Sequence, residues 1–353
     1  MANQNLIEVD GSYGSGGGQI LRTAISLSAV TQKPCRVFNI RKSRPKPGLA
    51  AQHLLGIQAL TELCNGRLEG DFLGSEEIKF YPGEIYRDRV SVNIPTAGSI
   101  TLALQSLIPP ALFSHSASPG QAPKPVTISF NGGATDTFFS PTIDFFQYIF
   151  LKILEKIGGE VNMNIIRRGY YPEGGAKVEV KIYPSKLKPI ILTERGKFQK
   201  ILAISGASNT LKEKKVAERQ IAGVREILGK LKLPTEERAE YYDTRCPGSQ
   251  ICLIAEFENT IIGADNLGKL GKRAEDVGKE AALELLKEQK SETCLDRYSG
   301  DQILAYMALA KGKSSATVSE ITNHCKTNIW VIEKFVDGGF EIENNLISWL
   351  LAV

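Results

Sequence analysis

The sequence predicts an α+β protein: three β-α-β-α-β-β units form a large domain, and a smaller α+β domain is inserted in the third unit. Three observations carry this expectation. Hydrophobic periodicity repeats one unit at intervals of about ninety residues. A stretch from 186 to 288 breaks that rhythm. The composition, 353 residues with 42% apolar and 23% charged, suits cores larger than one domain usually holds. The large domain is therefore expected over 1–185 plus 289–353, and the insert over 186–288.

The first unit opens with a strand at 6–10 and a helix at 17–31, whose Ile20, Ala24 and Leu27 share one face. The strand "CRVFNI", a helix at 48–64 and the strands "RLEGDF" and "EIKFYP" complete it. The second unit begins with "RVSVNI" and continues through a helix at 98–113, the strand "KPVTISF" and a helix from Pro141 to Ile157 opened by Ser140. It ends with "EVNMNIIRR" and "AKVEVKIYP". The third unit shows a helix at 300–310, the strand "SSATVSE", a helix at 328–336 and the strands "FEIEN" and "LISWLLAV", with its opening strand displaced. The insert reads as strand "KILAISG", a charged helix at 210–232, strands at 236–244 and 250–262, and a helix at 272–289. Insertion into a surface loop costs little closure entropy.

Several classes are disfavoured by composition. The N-terminus enters a strand with no basic and apolar leader, and no run approaches a membrane span. The six scattered cysteines form no CxxC pair, which fits a reducing compartment, so a cytoplasmic location is expected. The three histidines lack zinc-ligand spacing. A net charge of +4 does not by itself argue for nucleic acid. The basic residues cluster, however, in "RKSRPKPG" and "IIRRGYYPEGG", and each run is either a solvated loop or an anion-facing one.

The stretch "DGSYGSGGGQILR" joins the first strand to the first helix. It lacks the Lys-Ser/Thr of a P-loop and the final glycine of a dinucleotide fingerprint. What remains is a strand, a glycine loop through Gly16, Gly17 and Gly18, and a helix start. That geometry offers free amides and a positive helix end to an anion, with Gln19 and Arg22 on one face. A tight turn with no ligand would use the same glycines. Near the C-terminus, "NHCKTNIWVIEKF" sets His324 before a helix whose cap is expected at Thr327 or Asn328. A helix N-terminus disfavours imidazolium and favours a phosphoryl group on the ring. Asp301, in "YSGDQILAYM", is placed to orient that imidazole, to hold a metal, or merely to complement its own helix.

Taken in order, "DGSYGSGGGQILR", "RPKPGLAAQH", "AGSITLALQ", "RRGYYPEGG", "YSGDQ" and "NHCKTN" resemble the RNA 3'-terminal phosphate cyclase family over nearly the whole chain. The resemblance implies a three-repeat core with a small insert, and the use of ATP with Mg²⁺ or Mn²⁺. It also implies conversion of an RNA 3'-terminal phosphate to a 2',3'-cyclic phosphate through an adenylated histidine, here His324. Arg22, Arg41, Arg44, Gln52, His53, Gln105 and Asp301 match polar residues of the family's ATP and phosphate pocket, and Tyr298 matches an aromatic against adenine. Ser15 stands where the family usually carries a glutamate beside the metal, so no metal ligand is assigned. Two other functions compete: a non-catalytic cyclase-like protein that binds RNA as an assembly factor, and an enolpyruvyl transferase, which shares repeated α+β units. An oligomer is compatible with the sequence.

Overall fold

The structure, a computed structural model, describes residues 6–14, 16–85, 87–114 and 124–352. It contains four four-stranded sheets. The first unit comprises β1 (Ile7–Asp10), α1 (Gly18–Thr31), β2 (Cys35–Phe38), α2 (Ala51–Leu63), β3 (Arg67–Glu69) and β4 (Ile78–Tyr81). β1 and β2 run parallel, and β4 pairs antiparallel with both β2 and β3, giving the order β1-β2-β4-β3.

The second unit repeats that plan with β5 (Arg89–Ser99), α3 (Ile100–Leu112), β6 (Val126–Ala134), α4 (Ile143–Phe145), α5 (Leu151–Lys156), β7 (Glu160–Arg167) and β8 (Lys177–Tyr183), in the order β5-β6-β8-β7. The helix expected from Pro141 to Ile157 is not uniform: a π-helical turn, Phe146–Phe150, separates α4 from α5. Thr142, not Ser140, caps it, its side chain accepting from the Phe145 amide. Such wide turns are rare and often lie beside functional sites.

The third unit explains the displaced strand. β9 (Ile191–Leu192) pairs parallel with β14 (Ser314–Thr317), which pairs with β16 (Leu346–Leu351), itself beside β15 (Gly338–Glu343). The order β9-β14-β16-β15 matches the other two units strand for strand. Its helices are α8 (Arg297–Leu309) and α9 (Asn323–Phe335). Since β9 belongs to this sheet, residue 186 lies one strand too early as the start of the insert. The two-residue strand is too short to leave an alternating pattern.

Between β9 and α8 run β10 (Phe198–Ser208), α6 (Val216–Leu228), β11 (Thr235–Tyr242), β12 (Ser249–Phe257), β13 (Ile261–Leu267) and α7 (Ala274–Lys290). Their sheet has the order β11-β10-β12-β13. The strand expected at 250–262 is a hairpin instead: Phe257 donates its amide to Thr260, and β12 and β13 pair antiparallel. Apolar residues continue on both sides of the Glu258–Thr260 turn, which hides the break from a periodicity reading. The described residues form two hydrophobic cores, one shared by the three units and the face of this segment's sheet that carries Leu202, Ile204, Cys252 and Ile254, and one inside this segment around Ile201, Ile221, Leu253 and Leu285.

Candidate active site

Helix α1 is the hub that joins the chain's two ends, because it packs on both α3 and α9. Polar bonds fix the second contact. Gln19 Nε2 donates to the His324 carbonyl at 3.0 Å, Thr23 Oγ1 donates to Asn328 Oδ1 at 2.9 Å, and Asn328 Nδ2 donates to the Asp301 carbonyl at 2.7 Å. The glycine loop fits because it lacks side chains: a Cβ on Gly14, at φ +57°, would lie 2.6 Å from Thr327 Oγ1. One on Gly16 would lie 2.7 Å from Ser43 Oγ, and one on Gly18 2.1 Å from His53 Nε2. The loop therefore lies directly against both α9 and the "RKSRPKPG" turn.

Helix α9 begins five residues earlier than a cap at Thr327 would allow. Thr322 is the N-cap, its Oγ1 accepting from the Cys325 amide at 3.0 Å. His324 thus stands in the first helical turn, with its side chain 54% exposed. Its Nδ1 lies 3.6 Å from Asp301 Oδ2. The other oxygen of Asp301 accepts from Thr322 Oγ1 at 2.5 Å and Cys325 Sγ at 3.0 Å. Asp301 sits in the second turn of α8, nearly buried, and burial holds its carboxyl above the ordinary range.

A cavity of about 520 Å³ opens over these residues. Gln19, Arg22, Gln105, Tyr298, Asp301 and His324, six of the residues singled out by sequence, line it together. Arg22 is the notable member. Burial pulls its guanidinium down to about 10, and its Nε is buried without a hydrogen-bond partner among the described residues. Gln19 Oε1 is also buried and unpartnered. A buried cation without a carboxylate is costly, and an anion entering the cavity would complete it. Gln105 Nε2 donates to Gln302 Oε1 at 3.0 Å across the far wall.

Gly16, Gly17, Gly18, Arg41, Arg44, Gln52 and His53 do not line this cavity. Arg41 donates to the Gly48 carbonyl at 2.9 Å and so ties its own turn together. His53 supports Gly18 from behind. Burial, then Arg22 and Arg41, depress its imidazole to about 3, so it is neutral at physiological pH. Ser15 lies outside the described residues. Among those described, no three carboxylate, histidine or cysteine side chains converge as a metal site would require.

Sequence reasoning missed Asp265, which β13 of the inserted segment delivers to the cavity wall. Its carboxylate accepts from the Thr142 amide at 2.7 Å, and no local pattern marks it. Of the two readings of "RRGYYPEGG", a solvated run or an anion-facing one, the second is the closer for Arg168. Arg168 is buried, not solvated, and makes a bidentate pair with Asp144 at 2.6 and 2.8 Å. Tyr170 Oη donates to Gln250 Oε1 at 2.5 Å, so this motif locks the second unit to the insert.

A three-unit α+β frame with a histidine and a buried arginine lining one cavity is the arrangement to be compared with known enzymes. Comparison makes the class specific. The RNA 3'-terminal phosphate cyclase profile matches residues 13–342. The chain is similar to the RNA 3'-terminal phosphate cyclase of Pyrococcus abyssi, 44% identical over 342 residues that span 97% of this chain and 96% of that protein. It is also similar to the one from Sulfurisphaera tokodaii, 41% identical over 340 residues and 96% of each chain. A third, from Archaeoglobus fulgidus, is 39% identical over 342 residues, 97% of this chain and 99% of that one. The chain belongs to the RNA 3'-terminal phosphate cyclase family. The solved enolpyruvyl transferase NikO from Streptomyces tendae aligns over 98% of this chain and 81% of its own with a TM-score of 0.21 and 9% identity, too little to bear on the fold.

Proposed function

We propose that the protein converts an RNA 3'-terminal phosphate to a 2',3'-cyclic phosphate at the expense of ATP, with His324 as the nucleophile that carries AMP. The observation that carries this reading is that His324, at a helix N-terminus, and Arg22, whose buried Nε has no partner among the described residues, line one cavity. With Nδ1 turned toward Asp301, Nε2 is left with the lone pair. It attacks the α-phosphorus of ATP, the bond to the β-phosphate oxygen breaks, and diphosphate leaves. Arg22 offsets the charge gathering on the phosphates, and the helix end favours the phosphoramidate formed. An oxygen of the RNA 3'-phosphate then displaces His324 from the AMP phosphorus. Finally the neighbouring 2'-hydroxyl attacks the 3'-phosphorus, closes the ring and expels AMP; intramolecular attack has a large effective molarity.

Tyr298, its ring near-perpendicular to that of Phe145 with centroids 6.0 Å apart, suits the adenine, and the arginine side chains of the "RKSRPKPG" turn, which packs on the glycine loop, suit phosphate by their chemistry. The described residues do not form a cage for Mg²⁺ or Mn²⁺. We also take the segment between β9 and α8, with its own core, as a separate small domain. The non-catalytic alternative predicts no covalent product. The deciding experiment incubates the protein with labelled ATP and a divalent salt and seeks an acid-labile AMP adduct by mass spectrometry. It is expected on His324 and absent in His324→Ala, and an adduct retained by that variant would overturn the assignment.

A further inference from the structure

Phe139 lies on the rim of the cavity, and the proposed chemistry gives it no task. Its φ is +65°, a left-handed conformation that bulky side chains rarely adopt. Its ring is 102% exposed while lining the cavity that holds Tyr298 and His324. Strain and full exposure of an apolar ring are both unfavourable; such outliers persist where they serve a ligand. Next to it, Phe138 meets the Tyr171 ring edge-on, centroids 5.8 Å apart at 67°. The Lys269 ammonium, from the inserted segment, lies 5.4 Å from the Phe138 centroid. Tyr171 is 57% exposed and is the part of "RRGYYPEGG" that the buried Arg168 network leaves outside.

We propose that Phe139 is a stacking platform for an unpaired nucleobase near the 3' end of the bound RNA, with Tyr171 and Lys269 receiving the strand that leads to it. The inference rests on RNA being the substrate. Aromatic rings interleaved with a cation suit a single strand, because every base has a π-face and every linkage a negative charge. The rings adjoin the cavity mouth, where a strand with its 3'-phosphate beside His324 must leave the protein. A contact with a second copy of the chain would gain nothing from strain at one rim residue.

The test uses a 3'-phosphorylated oligoribonucleotide carrying 2-aminopurine at the terminal or the penultimate position, titrated without ATP. Wild-type protein should quench the fluorescence, as stacking does. Phe139→Asn should weaken binding by roughly 5- to 100-fold and lose the quench, while its melting temperature holds or rises, since asparagine tolerates the left-handed conformation. Phe139→Trp should restore both. Unchanged affinity and quench in Phe139→Asn would overturn the proposal. So would intact RNA binding accompanied either by a raised ATP requirement for the His324 adduct, which would give the ring to the nucleotide, or by altered sedimentation, which would give it to a second copy. Because binding is read without ATP, a missing adduct in the wild type would count against the proposed function and leave this measurement standing.

Discussion

At the scale of single residues, Arg22 separates stability from function most sharply. A buried guanidinium with no carboxylate partner among the described residues costs stability. Arg22→Met, similar in length and apolar, is therefore expected to raise the melting temperature. The same change should slow adduct formation by about 2 kcal/mol in the barrier, because a charge-assisted contact to phosphate is worth that much. Thermal melts with and without ATP check both signs: the variant should start higher and gain less from the nucleotide. A lower melting temperature with normal adduct formation would show that Arg22 is structural. Arg22 was legible from sequence through its spacing to the glycine loop. Its burial was not, since that depends on helices from the other units closing over it.

Among the elements, α9 matters through its first turn. Thr322 caps that turn and donates to the carboxylate that faces His324, so one hydroxyl serves both helix and site. Thr322→Ala should cost about 1 kcal/mol of stability from the lost cap and slow adduct formation several-fold, roughly the effect of one lost hydrogen bond. Thr322→Ser should keep both. Stopped-time adduct assays beside thermal melts separate the two effects; a variant that is less stable but adenylated at the normal rate would show that the cap does not act through Asp301. The sequence reading expects the cap at Thr327 or Asn328, whereas Thr322 takes it. Only the approach of α8, which brings Asp301 to Thr322, selects among them. The missed hairpin at Glu258–Thr260 has a similar origin, because the turn is short and both flanking strands are apolar.

For the whole molecule, the critical joint lies between the second unit and the insert. Arg168 is paired with Asp144 and, at 3.4 Å, with Asp136, and its guanidinium lies 4.5 Å from the Tyr242 ring of the insert. Burial raises Asp136 to about 6 despite this cation, so loss of the arginine would leave two buried carboxyls facing each other. Arg168→Met should destabilise by about 3 to 5 kcal/mol. Denaturant titration measures it, and Arg168→Met with Asp144→Leu should recover part of the loss. A cost below about 1 kcal/mol would show that the joint is held by packing instead. Since Asp265 reaches the cavity from the same segment, the single Arg168 variant should also weaken ATP-induced stabilisation.

The sequence by itself determined the repeated unit and the segment that interrupts the third copy, and it marked the glycine loop and His324 as candidates. Each is written in local terms: a period in apolar residues, a run of glycines, a histidine beside a capping residue. Tertiary structure alone decided that the third unit's first strand lies before the insert, that Arg168 is buried and Arg22 unpaired, and that Asp265 and Phe139 edge the cavity. Those facts depend on which surfaces meet. Burial, pairing and electrostatic shift are properties of neighbours far apart in the chain, and a linear pattern does not record them.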